Sequence, residues 1–199
     1  MAHSKESQYH VLWEQEKKFA QEVVCVMRAN SERPWWYCFV PFKSLFEYLA
    51  LKRNVRHFST RHLGLKKIAL SAAYSAVQHQ DQERGAREVQ RGLQKFWMQQ
   101  GGIEHQHLYK LLASWLDLLF RHYYLLLSTG EEDYPLMLRK VYPSPEEYTR
   151  FHEQLIRIER KVDQAVMDIA GIVNNLSYIQ SKQKAFQQVR NQELNKLDS

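Results

Sequence analysis

The most regular feature of this sequence is an apolar heptad repeat near its carboxyl end. From Phe151 to Ile179, apolar side chains return at alternating intervals of four and three residues. This spacing places them on one face of an α-helix and is typical of a helix that packs against other helices. The positions are Phe151, Leu155, Ile158, Val162, Ala165, Ile169, Ile172, Leu176 and Ile179. The repeat predicts a long, coiled-coil-like C-terminal helix, and it leaves open whether the partner helices belong to the same chain.

A start signal precedes this helix, and its apolar face ends before the chain does. Ser144 is a favoured N-cap, Pro145 suits the first turn, and Glu147 occupies the capping-box position. Beyond residue 180 the apolar repeat is mostly broken. We therefore expect residues 1–180 to form a single helical domain and residues 181–199 to form a polar helical extension or a frayed tail.

Composition and periodicity both favour an all-α fold. The 199 residues include only 7 Gly and 5 Pro, too few for a β protein built from many tight turns. Helical periodicity is present in five upstream segments: 5–29, 41–56, 60–82, 83–100 and 103–128. The third and fourth of these could be one kinked helix. We predict an antiparallel helical bundle with about five helices and the long C-terminal helix.

The net charge of +6 is concentrated in one short segment. Residues 43–67 contain one acidic residue, Glu47, and seven basic residues: Lys43, Lys52, Arg53, Arg56, Arg61, Lys66 and Lys67. Basic and acidic residues are balanced in the rest of the chain. A local excess of this kind attracts polyanions or an anionic membrane surface. The alternative is a solvated helix face that keeps the protein soluble.

An aromatic run bracketed by Pro34 and Pro41 precedes the basic segment. Aromatic rings beside cations suit a bilayer interface, and they also suit single-stranded nucleic acid. The alternative is that the rings plug one end of a helical bundle. The sequence therefore predicts a candidate binding surface, the basic-aromatic surface, within residues 35–67. Its members are Trp35, Trp36, Phe39, Phe42, Lys43, Phe46, Lys52, Arg53, Arg56, Arg61, Lys66 and Lys67.

No catalytic signature is present, and the metal-site pattern is incomplete. Glu104 and His107 form a single Glu-x-x-His motif, whereas di-iron helical bundles use two such motifs with further carboxylates. His122 is expected to be a core histidine bonded to Asp117, a tyrosine or the backbone. We therefore predict no enzyme activity, no metal and no cofactor.

The leading hypothesis is a non-enzymatic helical adaptor or scaffold. It would contact an anionic membrane surface or a protein partner through the basic-aromatic surface. The helix in residues 144–199 would bind a protein partner or a second copy of the chain. Without a transmembrane stretch or a secretory signal, the expected location is cytoplasmic or peripheral to the inner face of the membrane. The alternatives are a nucleic-acid-binding module using the same segment, and a bundle with an internal metal or small-molecule site.

Overall fold

A computed structural model describes residues 2–29, 63–99, 105–170 and 183–192. All regular secondary structure in these ranges is α-helical, which confirms the predicted all-α class. The helices are α1 (Ala2–Ala29), α2 (residues 63–79), α3 (Gln82–Gln99), α4 (Gln106–Ser128), α5 (Tyr134–Val141), α6 (Pro145–Ala170) and α7 (residues 183–192). Within the described ranges, no helix has the length and apolar character needed to cross a membrane.

Helix α4 lies at the centre of the fold. It contacts α1, α3, α5 and α6. Its side chains Leu116, Phe120, Tyr123 and Leu126 are at most 2% exposed. A helix that is apolar on most sides needs cover from its neighbours, and the surrounding helices cover much of α4, although Leu125 remains 48% exposed.

Small residues allow α2, α3 and α4 to approach one another closely. The alanines of α2 predicted to allow close approach include Ala69, Ala73 and Ala76, all fully buried. A Cβ atom added at Gly85 of α3 would lie 2.7 Å from the Ala76 Cβ and 2.6 Å from the Phe120 ring. Glycine lowers helix propensity by about 1 kcal/mol relative to alanine. Its presence in α3 is explained by this close packing.

A tight turn separates α2 from α3. Gln80 adopts a positive φ of 54°, which interrupts the helix. The Asp81 carboxylate then accepts a hydrogen bond from the Arg84 backbone N–H at 2.8 Å and so caps the start of α3. The sequence left open whether segments 60–82 and 83–100 form one kinked helix or two helices. The structure has two helices here.

Helix α6 begins as the sequence predicted, and the first part of its heptad repeat packs within the chain. The Ser144 hydroxyl accepts a hydrogen bond from the Glu147 N–H at 3.3 Å. Leu155 and Ala165 are buried in the main core. Ile169, however, is 37% exposed. The last three positions of the repeat lie outside the described ranges.

The C-terminal region differs from the predicted single long helix. At 1.5 Å per residue, a straight helix would separate residues 159 and 190 by about 46 Å. Instead, Nη2 of Arg190 lies 2.9 Å from each carboxylate oxygen of Glu159. Helix α7 therefore lies beside α6 and not beyond its end.

Helix α7 is the described part of the segment 181–199, for which the sequence predicts a polar helical extension or a frayed tail, and in residues 183–192 it is not polar on every side. Its apolar side chains are at most 4% exposed and form a second small core with α1. The buried residues of this core are Phe19, Val23, Ala185, Phe186 and Val189. The segment 183–192 is thus held by apolar packing, whereas the predicted boundary near residue 180 lies outside the described ranges.

Candidate functional site

Ionisable side chains from five helices line one partly open cavity, here named the polar cavity. About 40 Å³ of it is open to the centres of water molecules. A single water needs roughly 10–15 Å³ of such space, so the polar cavity has room for about three waters or a ligand of similar size. Its ionisable lining includes Glu16 of α1, Lys66 of α2, His122 and Tyr123 of α4, His152 of α6 and Arg190 of α7.

Glu16 is held by one charged and one neutral donor. Its Oε2 lies 2.5 Å from the Lys66 ammonium, and its Oε1 accepts a hydrogen bond from the Tyr123 hydroxyl at 2.5 Å. The Lys66 side chain is 5% exposed and the Glu16 side chain is 16% exposed. Three helices are therefore joined through one carboxylate.

The neighbours of Glu16 keep its carboxyl group ionised. Burial raises the pKa of this carboxyl. The charge of Lys66 and the hydrogen bonds from Lys66 and Tyr123 together lower the pKa by more than burial raises it, so the pKa lies below 4.5. Burial, followed by the negative charge of Glu16, raises the pKa of Tyr123 well above 10.0. At neutral pH Glu16 is therefore a carboxylate and Tyr123 a neutral phenol.

His122 is a buried neutral histidine with a tyrosine partner, as the sequence predicted. Its Nδ1 lies 2.7 Å from the Tyr142 hydroxyl, and its ring stacks on Phe151 with centroids 4.2 Å apart. Burial lowers the pKa of His122 to about 3. Asp117, the other side-chain partner considered, pairs instead with Arg121.

Arg190 uses one of its two terminal guanidinium nitrogens in its ion pair. Nη2 donates to Glu159, and the guanidinium packs on Phe19 and Phe186 with its centre 5.7 and 5.4 Å from the two ring centroids. The residue is 3% exposed, and its Nη1 has no hydrogen-bond partner among the residues that the structure describes. The two buried N–H groups of Nη1 therefore have no acceptor among the described residues.

His152 is the second buried group with unused hydrogen-bonding capacity. It is 7% exposed, and neither ring nitrogen has a hydrogen-bond partner within the described part of the chain. Its ring meets Tyr148 edge-on at 4.3 Å. Burial, and next the positive charge of Arg190, lower the pKa of His152 to about 2, so the ring is neutral at physiological pH.

Sequence reasoning did not place Glu16, His152 and Arg190 together in one site. Glu16 lies four residues after Leu12 and three before Phe19, so it shares the apolar face of α1. His152 lies three residues before Leu155 on α6. The sequence feature that could have identified Glu16 and His152 is a polar residue on the apolar face of a helix. The spacing of apolar residues alone does not reveal it.

The basic-aromatic surface is described at only two of its twelve positions. Lys66 is buried and paired with Glu16, so it does not belong to an exposed surface, because its charge is neutralised inside the fold. Lys67 is exposed, with its ammonium 5.6 Å from the centroid of the Trp13 ring. The other members lie outside the described ranges, and their role stays a prediction: Trp35, Trp36, Phe39, Phe42, Lys43, Phe46, Lys52, Arg53, Arg56 and Arg61.

The metal hypothesis gains no support where the chain is described. No group of three or more His, Cys, Asp or Glu residues there could hold a metal ion. Glu104 lies outside the described ranges, and His107 is exposed, whereas His122 lines the polar cavity. Comparisons with protein-family models, curated proteins and solved structures found no match. The chemistry of the polar cavity is therefore the basis for a functional proposal.

The two buried histidines predict a loss of stability in mild acid. Their folded pKa values, about 3 for His122 and about 2 for His152, lie below the ordinary value of 6.5. As the pH falls through 6.5, the unfolded chain takes up protons that the folded chain excludes. Each histidine therefore lowers the free energy of unfolding by up to about 1.4 kcal/mol per pH unit. The loss continues until the folded rings themselves become protonated.

Urea denaturation at pH 8, 7, 6 and 5 measures this effect. The Glu16 carboxyl contributes mainly below pH 4.5, so the window above pH 5 isolates the histidines. His152→Gln should reduce the slope below pH 6.5 by about 1.4 kcal/mol per unit. An unchanged slope in this variant would contradict a buried, neutral His152.

Proposed function

We propose that this protein is a helical binding protein whose polar cavity holds a small polar molecule. The observation that carries the proposal is the pair of unused buried groups, Nη1 of Arg190 and the ring nitrogens of His152. A buried donor without an acceptor costs about 1–3 kcal/mol. Native proteins retain such groups where water or a ligand satisfies them. Two of these groups lining one cavity support a binding role.

The size of the polar cavity limits both the ligand and its affinity. Space for about three waters accepts a molecule of three or four non-hydrogen atoms. The best very small ligands gain about 1.5 kcal/mol per non-hydrogen atom. A three-atom ligand is therefore limited to a dissociation constant of about 0.5 mM. The proposed ligand is therefore a solute that is present at millimolar concentration.

The protonation states favour binding over catalysis. A general base at neutral pH works best with a pKa near 7. His122, at about 3, and His152, at about 2, are far below that range. Glu16 is committed to Lys66 and Tyr123. These side chains therefore act as hydrogen-bonding groups and not as proton-transfer groups, which supports a non-enzymatic role.

Thermal unfolding in the presence of small solutes tests this proposal. Formate, formamide and methylammonium, each at about 20 mM and matched ionic strength, represent one anionic, one neutral and one cationic ligand. At least one should raise the unfolding temperature, because a ligand that binds only the folded state stabilises it. The increase should disappear in His152→Leu and persist in His107→Leu, a control at an exposed histidine of α4.

The proposal is contradicted if none of the three solutes raises the unfolding temperature of the wild-type protein. In that case ordered water alone satisfies the two groups. A stabilisation that is equal in both proteins is also contrary to it, since it would arise elsewhere on the surface.

A second proposal is the adaptor or scaffold role that the sequence suggests. It is supported by the concentration of the net charge in residues 43–67 and by the exposed Lys67 beside Trp13. In this proposal the helices form an antiparallel bundle, and residues 144–199 contact a protein partner or a second copy of the chain. Two apolar side chains of α6, Val166 and Ile169, are 46% and 37% exposed, in keeping with such a contact.

Co-sedimentation with vesicles of increasing anionic lipid content tests the adaptor proposal. Binding should increase with anionic lipid and fall when Trp35, Trp36, Arg53 and Arg56 are replaced by alanine together. Binding without lipid dependence would contradict a membrane role. If single-stranded oligonucleotides bind instead, with an affinity that falls steeply with salt, the nucleic-acid alternative is favoured.

A further inference from the structure

We propose that the ligand of the polar cavity is a small monovalent planar anion of the formate class, held between Nη1 of Arg190 and the ring N–H of His152. This inference rests on the binding function proposed above and adds the charge and shape of the ligand. Three observations carry it: the donors without a partner among the described residues, the acceptors that are occupied, and the available volume.

The free groups of the polar cavity are predominantly donors. A guanidinium has only donors, so Nη1 of Arg190 offers two N–H groups and no acceptor. Neutral His152 offers one N–H and one acceptor nitrogen. A carboxylate has acceptors only, and its two oxygens can receive one donor from each residue. Hydrogen bonds with a charged partner are roughly twice as strong as those between neutral groups.

Two carboxylates beside the polar cavity, Glu16 in its lining and Glu159 next to Arg190, are already engaged. A third buried carboxylate, Asp163, lies with Glu159 and Arg190 around a separate, smaller cavity. Glu16 accepts from Lys66 and Tyr123, one donor on each oxygen. Both oxygens of Glu159 receive Nη2 of Arg190. A cationic ligand would have to compete with these internal donors. An anionic ligand can accept from Nη1 of Arg190, which has no acceptor among the residues that the structure describes.

Two cations are held at the same aromatic ring beside the polar cavity. The Lys66 ammonium lies 4.8 Å from the centroid of Phe19, and the Arg190 guanidinium lies 5.7 Å from it. All three residues line the polar cavity. Each cation is also paired with a carboxylate, Lys66 with Glu16 and Arg190 with Glu159. The preference for an anion over a neutral molecule of the same shape therefore comes from the charged N–H donors of Arg190 and not from a net positive charge.

The volume selects a small anion. Space for about three waters suits formate or nitrate, whereas tetrahedral phosphate has five non-hydrogen atoms and a higher charge to desolvate. Because Arg190 belongs to α7 and His152 to α6, the anion would bridge the two helices. Its binding should therefore also slow hydrogen exchange at the backbone amides of residues 183–192.

Titration with formate and formamide, followed by calorimetry and by hydrogen exchange in α7, tests this inference. The two probes have the same number of non-hydrogen atoms and differ in charge. We expect a millimolar dissociation constant for formate and binding of formamide that is at least about tenfold weaker. Nitrate should compete with formate.

Three variants separate a donor role from a structural role. His152→Leu removes the ring N–H and should weaken formate binding about tenfold, whereas His152→Gln restores an N–H donor and should keep affinity within about threefold. Arg190→Lys keeps a charge beside Glu159 but loses the second nitrogen, so it should weaken binding about as much as His152→Leu does. His107→Leu, outside the polar cavity, should bind formate like the wild type.

The outcomes distinguish the inference from the function on which it rests. If formamide binds as well as formate and His152→Leu abolishes both, the cavity binds a small solute and the anion assignment is wrong. If neither probe nor nitrate binds, the anion assignment is also overturned. Formate binding that is unchanged in His152→Leu and Arg190→Lys would place the anion elsewhere and overturn the assignment as well.

Discussion

The buried ion pair between Glu16 and Lys66 is the constraint on which the described structure depends. Removing each charge from water costs several kcal/mol, and only a close partner of opposite charge offsets that cost. The pair fixes α1 against α2, and the Tyr123 hydroxyl adds α4 to the same carboxylate. The Arg190–Glu159 pair joins α7 to α6 in the same way. Charge pairing therefore adds specific contacts between helices beside their apolar packing.

The polar cavity is a consequence of these anchored side chains. Lys66 and Arg190 both pack on Phe19, with their charged ends fixed by carboxylates on other helices. Apolar side chains cannot fill the remaining space without burying the guanidinium edge and the His152 ring without partners. A water cluster or a small ligand satisfies both. The proposed binding function thus follows from the electrostatics that hold the fold together.

The sequence predicts the helices well and the polar cavity poorly, for one physical reason. Apolar periodicity is local, so it identified the central α4 and the start of α6 at Ser144. Ion pairs across the core are not local: Glu16 and Lys66 are 50 residues apart, and Glu159 and Arg190 are 31 apart. Lys66 was therefore assigned to a cationic surface with its neighbour Lys67. The packing of α7 was not predicted, because Phe186 is the one apolar residue among the continued heptad positions 183, 186, 190 and 193, whereas Ala185 and Val189 lie off the repeat and pack with it against α1.

A double-mutant cycle on the Glu16–Lys66 pair tests this account most directly, by urea denaturation at pH 7. Lys66→Met should lower the free energy of unfolding by about 3 kcal/mol, because it leaves the Glu16 carboxylate without its counterion. Lys67→Met, the matched change at the exposed neighbour, should cost less than about 1 kcal/mol. Adding Glu16→Gln to Lys66→Met should recover most of the loss. Equal effects of the two lysine substitutions, with no recovery in the double variant, would contradict the buried pair and the polar cavity built around it.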